Sequence, residues 1–333
     1  MISSREIVKA CRHREECDST IAILYCTFVS IAYVGSLYVF VPSSIRALPR
    51  DHPSQIQFRS LACLFVCAGA ICSYPYFFCT DDIESSDNLN NNDNNLLNRA
   101  LFNIGKIMLF RFQNKYYHFL SFFGVLLHTC IIYIGPSLAS LLRVYKIRKK
   151  SISDNCNAFE IIRRSLLSVL PVNKETLWIT IRNYIVAPFT EELVFRGCII
   201  PPLLASGMST MKVSLIAPLF FGIAHIHHAV TRISKGERPS SVVLITIFQF
   251  LYTSLFGSYA SYAFIRSGSI LAITFSHSYC NWMGLPDMTF VSNKHHLLFQ
   301  YRMVILPSYV VGILLFWYMF RIDLLFFPLH HLT

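Results

Sequence analysis

Charge is what this chain has least of. Of its 333 residues only 14% are Asp, Glu, Lys or Arg, against about 25% in an ordinary soluble domain. Acids are the scarcer sign, 18 Asp and Glu against 29 Lys and Arg. With 54% hydrophobic residues and a mean hydropathy of +0.47, a soluble globule with a charged shell is excluded. Other absences narrow the chemistry. Eleven cysteines form no Cys-x-x-Cys pair and no metal-ligand spacing. Several (Cys26, Cys63, Cys67, Cys72, Cys130) sit in apolar runs, where a free thiol behaves as a small hydrophobe. There is no His-Glu-x-x-His zinc motif and no recognisable Ser or Cys nucleophile motif. There is no internal repeat of the kind that builds many transporters. The first twenty residues are polar with mixed charge, so no cleavable signal peptide is expected.

What is there is apolar length. A bilayer core takes about 20 apolar residues to cross, and about eight stretches qualify: 21–42, 61–80, 119–142, 177–204, 211–230, 242–265, 268–285 and 303–328. The expected fold class is an all-α polytopic membrane protein of about eight transmembrane helices, with an intramembrane cavity open to the cytosol. Residues 1–170 are expected to hold N-terminal transmembrane helices, an Asn-rich loop at 85–98 and amphipathic helices at 99–113 and 159–170. Residues 171–333 form the expected catalytic core. The net charge of +11 is no nucleic-acid signal, because no basic patch is interleaved with stacking aromatics. The partner expected from composition is the lipid bilayer, and no nucleic acid. Arg143, Lys146, Arg148, Lys149 and Lys150 follow the third stretch, and Arg232, Lys235 and Arg238 follow the fifth. Cations mark the cytosolic side, so the connections after the third, fifth and seventh stretches are expected there. Arg5, Lys9, Arg12 and Arg14 disagree mildly with the lumenal N-terminus that this requires.

Against that background, Thr190-Glu191-Glu192-Leu193-Val194-Phe195-Arg196 stands out. Ionisable groups at bilayer depth are costly unless paired or facing a wet cavity. Glu192 and Arg196 are spaced i,i+4 and can pair on one helix face, while Glu191, offset by about 100°, is left to face something else. Two further apolar stretches hold His225 with His227, and His277 with Asn281. At about 1.5 Å per residue, Glu191, His225 and His277 lie roughly 14, 8 and 12 Å below the cytosolic end of their stretches, close enough in depth to share one cavity. A carboxylate with a neutral His deprotonates water. A second His with an Asn amide donates to a developing oxyanion. Together they make a peptidase without a covalent nucleophile, and the missing ligand spacing argues against metal. The structural alternatives are an ion pair, an interhelical contact and a satisfied buried histidine. Buried Glu, His and Arg also suit a proton-coupled transporter.

Three motifs in order, Glu191-Glu192-x-x-x-Arg196, Phe221-x-x-x-His225 and His277-x-x-x-Asn281, resemble those of the type II CAAX prenyl proteases, the glutamate intramembrane proteases of the ABI family. The runs from Ala187 to Glu192 and from Phe220 to His228 are similar to its eukaryotic branch, the Ras-converting endopeptidases. The resemblance covers about residues 175–285. It implies an enzyme of the endoplasmic reticulum membrane, multi-pass, with its active site facing the cytosol. Such an enzyme removes the last three residues of farnesylated or geranylgeranylated CAAX proteins, Ras-like small GTPases among them. It implies Glu191 and His225 as activators of the attacking water, His277 and Asn281 as the oxyanion hole, Glu192 and Arg196 as supports, and no metal or cofactor. A relative acting on other, non-prenylated peptides would carry the same residues.

Overall fold

The computed structural model describes residues 19–78, 115–153, 176–224, 229 and 232–322. His225, His227, His228, the Asn-rich 85–98 and the two amphipathic segments expected at 99–113 and 159–170 lie outside them. Among the described residues all regular structure is helical, with no strand. The elements run α1 (Ser19–Val39), α2 (Ser43–Arg46), α3 (Pro53–Phe78), α4 (Lys115–Ile132), α5 (Ile134–Ser153), α6 (Leu177–Ile181), α7 (Ala187–Glu192), α8 (Ile200–Ala205), α9 (Thr210–Ala224), α10 (Pro239–Ser267), α11 (Ile270–Met283) and α12 (Arg302–Arg321). Two π-helical stretches, Arg182–Val186 and Leu193–Cys198, join α6 to α7 and follow α7.

Four helices are long and apolar enough to cross a membrane alone: Ser19–Val39, Pro53–Ser73, Pro239–Ser267 and Phe299–Arg321. A fifth crossing is obtained if the pair Phe119–Ile132 and Ile134–Arg148, bent by 70°, is one span. The third expected stretch is therefore not a straight helix. Pro136, in the first turn of α5, has no N–H for the carbonyl of Ile132, and the chain turns there. The cations from Arg143 to Lys150 then belong to a helix set at an angle to the bundle, not to a loop.

The fourth expected stretch departs further. It runs through three short α segments and two π stretches. Its prolines explain part of this: Pro188 opens α7, and Pro201 and Pro202 open α8. α11, at 14 residues, reaches about 21 Å at 1.5 Å per residue, short of a bilayer core of about 30 Å. Such a helix is sheltered among longer ones, and α11 buries Ile270, Ile273, His277 and Cys280. α10 and α11 form a hairpin. Gly268 ends α10 at φ +64°, in the left-handed region that glycine adopts freely, and the Ser269 hydroxyl accepts the Ala272 N–H at 3.1 Å to start α11. The buried core gathers the broken helix, α1, α3, α9 and α11. α10 and α12 turn most of their surface outward.

Candidate active site

The site is built on the broken helix. At its first π turn the Ala187 N–H reaches back to the Arg182 carbonyl, five residues away. That leaves the Asn183 carbonyl free, and Pro188 leaves the Tyr184 carbonyl free. Both are taken by α11: Asn281 Nδ2 donates to Asn183 O at 3.0 Å, and Ser278 Oγ donates to Tyr184 O at 2.7 Å. The irregular backbone thus fixes α11 against the helix that carries the carboxylates. π turns inside helices often mark functional sites.

The second π stretch starts directly after Glu192, and Ile199 N bonds Val194 O at 3.2 Å. Glu192 and Arg196 are almost fully buried and pair as their spacing predicts, Arg196 Nη1 lying 3.3 Å from Oε1 and 3.2 Å from Oε2. Glu192 does more than neutralise: its Oε1 accepts the Nδ1 proton of His277 at 2.6 Å. The guanidinium of Arg196 lies over the Phe221 ring, 5.3 Å from its centroid. A Cβ on Gly257 would stand 3.1 Å from Arg196 Nη2 and 2.8 Å from Pro218, so only glycine lets α10 come this close.

Glu191 is placed differently. Its side chain is 21% exposed, and Oε2 lies 3.8 Å from His277 Nε2, near but beyond hydrogen-bond distance. It lines a cavity of about 130 Å³ between the broken helix, α1 and α3, with Tyr33, Arg59 and Phe221 among the other walls. That volume holds on the order of ten waters. Tyr33 OH meets Thr190 Oγ1 at 2.9 Å while Thr190 gives its proton to Val186 O, so Tyr33 is the donor. The residue beside the catalytic candidate is thereby tied to α1.

The structure brings together Glu191, Glu192, Arg196 and His277, and sets Asn281, exposed, one turn further along α11 against Asn183. Phe221, four positions before His225 in the sequence, lines the cavity with Glu191. Among the described residues no group of three or more His, Cys, Asp or Glu converges as a metal site. The described cysteines are free thiols. Sequence reasoning missed three features: the Glu192–His277 bond, the Ser278 and Asn281 caps, and a polar cluster behind the site. In that cluster Thr129 Oγ1 lies 2.9 Å from Tyr259 OH and 3.0 Å from the hydroxyl of Ser276, next to His277. None had a signal in local spacing, since each joins segments more than 80 residues apart.

A family model described as type II CAAX prenyl endopeptidase Rce1-like matches residues 173–283, the stretch holding the broken helix, α9, α10 and α11. CAAX prenyl protease 2 of Homo sapiens is 30% identical over 298 residues, 89% of this chain and 79% of the relative. CAAX prenyl protease 2 of Arabidopsis thaliana is 31% identical over 281 residues, 82% of each chain. The chain belongs to this family. The Saccharomyces cerevisiae member is 37% identical over 116 residues, 33% of this chain. The longer alignments to the family also take in the helices before residue 173 that wall the cavity. No solved structure matches the chain.

Proposed function

We propose that this CAAX prenyl endopeptidase, a hydrolase by family, removes the C-terminal aaX tripeptide of prenylated CAAX proteins, Ras-like small GTPases among them, by attack of an activated water. The observation that carries the reading is the contrast between neighbours: Glu192 is sealed and doubly paired, whereas Glu191 faces a cavity with its carboxylate uncommitted.

Glu191, with His225, takes a proton from water as its oxygen attacks the scissile carbonyl carbon. The carbonyl oxygen gains the negative charge and is met by His277 and Asn281. On collapse the C–N bond breaks, and the proton held by the base goes to the departing amine of the tripeptide. The geometry adds a condition. A carboxylate only accepts, so Nδ1 of His277 carries the proton given to Glu192. His277 Nε2 then donates to the oxyanion only when the ring holds both protons. One N–H of Asn281 is given to Asn183 O, leaving the second for substrate.

In this reading eight stretches cross or enter the endoplasmic reticulum membrane, residues 171–333 forming the catalytic core and residues 1–170 contributing the opposite cavity wall. The cavity opens to the cytosol. The ion pairs Arg182–Asp51 at 2.8 Å and Arg143–Asp287 at 3.5 Å support it, because they gather cationic connections at one end of the bundle. Lys149→Cys in an otherwise Cys-free chain is expected to label from outside sealed microsomes. Protection there would reverse the orientation.

The direct test is incubation with a farnesylated CAAX peptide and its unprenylated twin, following tripeptide release by mass spectrometry. Release from the farnesylated peptide alone is expected, and equal cleavage of both would remove the prenyl requirement. The chemistry needs no Lewis acid, so prolonged chelation is expected to leave cleavage intact. Loss restored by stoichiometric zinc would instead make Glu191, His225 and His277 ligands.

A further inference from the structure

The cavity that Glu191 faces is lined by one carboxylate and three guanidinium groups, those of Arg50, Arg59 and Arg182. The three are not equivalent. Arg182 is engaged by Asp51 at 2.8 Å and by the Asn183 side chain at 2.9 Å. Arg50 is exposed in the connection between α1 and α3. Arg59 is half-buried on α3, and its Nε is sealed from solvent with no hydrogen-bond partner among the described residues. No carboxylate pairs with Arg59 among the described residues, and the cations acting on it are Arg50 and Arg182. A half-buried guanidinium beside two like charges is held at a cost unless an anion completes it.

We propose that Arg59 binds the C-terminal carboxylate of the substrate, an inference that rests on the reading of Glu191 as the water-activating base. A substrate cut three residues from its end carries a carboxylate at a fixed distance from the scissile bond. An extended tripeptide spans about 10–11 Å at 3.3–3.6 Å per residue. The cavity has the matching polarity along its length. Arg182 lies nine residues from Glu191 on the broken helix, about 13 Å at 1.5 Å per residue. Arg59 lies one turn of α3 from Cys63, a cavity residue on which both Glu191 and Arg59 act electrostatically. Val34, Leu37 and Ile56 supply apolar wall for the aliphatic residues of the tripeptide. A guanidinium takes a carboxylate through two parallel hydrogen bonds, which fixes both its position and its distance from the base.

The test uses the full chain and two farnesylated CAAX peptides, one with a free C-terminal carboxylate and one with a C-terminal amide. A charged hydrogen bond of this kind contributes about 10–100-fold in binding. The wild-type protein is expected to prefer the acid over the amide by that factor, a comparison that needs no variant. Arg59→Gln is expected to raise KM for the acid about 10–100-fold, leave kcat within a few-fold, and collapse the acid-over-amide preference toward one. Arg59→Lys is expected to keep part of it. Equal wild-type cleavage of acid and amide, with Glu191→Gln inactive, overturns the carboxylate reading alone. So does an Arg59→Gln enzyme that cleaves both more slowly while keeping the wild-type preference. Full turnover in Glu191→Gln overturns the catalytic reading and this proposal with it.

Discussion

The broken helix that carries Glu191 and the 29-residue α10 beside it are both apolar in sequence, yet they are opposites in structure. In α10, Leu244, Leu251 and Leu255 are 70%, 62% and 75% exposed, an apolar surface suited to lipid. From Leu193 to Leu204 the broken helix is buried at every position, and it holds the buried ion pair. α10 is a single α-helix. The broken helix departs from α-helical hydrogen bonding at two π turns, and at the first of them side chains of α11 take the freed carbonyls. The difference follows from the solvent. Backbone facing lipid must satisfy itself within its own helix, whereas irregular backbone and charge persist only where protein or water surrounds them.

That contrast predicts unequal tolerance. Glu192→Ala leaves Arg196 buried without its partner and His277 without its anchor. A loss of about 3–5 kcal/mol in stability is expected, read as a lowered Tm in detergent. Asn281→Ala removes the Asn183 cap and, in the proposed mechanism, an oxyanion donor, and is expected to lower kcat by about 10²–10³-fold. Gly257→Ala, on α10 but on its inner face, pushes a methyl against Pro218 and Arg196 and is expected to cost about 1–3 kcal/mol. Leu255→Ala, on the outer face of the same helix, is expected to stay within about 0.5 kcal/mol. If Gly257→Ala and Leu255→Ala behave alike, the division between inner and outer faces is wrong.

Hydropathy made the outer helices legible and the inner ones less so. The runs at 21–42, 242–265 and 303–328 correspond to α1, α10 and α12 within a few residues at most ends, because helices facing lipid are uniformly apolar. The run beginning at Leu61 instead starts at Pro53, since Gln55, Gln57 and Arg59 lower the hydropathy of its first two turns. The π turn before α7 was hidden, as it depends on which carbonyls a distant helix can cap. Within the site, the Glu192–Arg196 pair was readable from its i,i+4 spacing. Glu192 binding His277 was not, because that contact joins residues 85 apart in the chain. Arg59 was passed over for the same reason: its role depends on a cavity formed by three separate segments.

The central claim is that two adjacent carboxylates have different tasks, Glu191 activating water and Glu192 holding His277. Glu191→Gln and Glu192→Gln, purified side by side, separate them when turnover of a farnesylated CAAX peptide and Tm are measured on the same samples. Glu191→Gln is expected to retain the wild-type Tm and lose turnover, whereas Glu192→Gln is expected to lower Tm as well as turnover. Near wild-type turnover in Glu191→Gln would contradict the account.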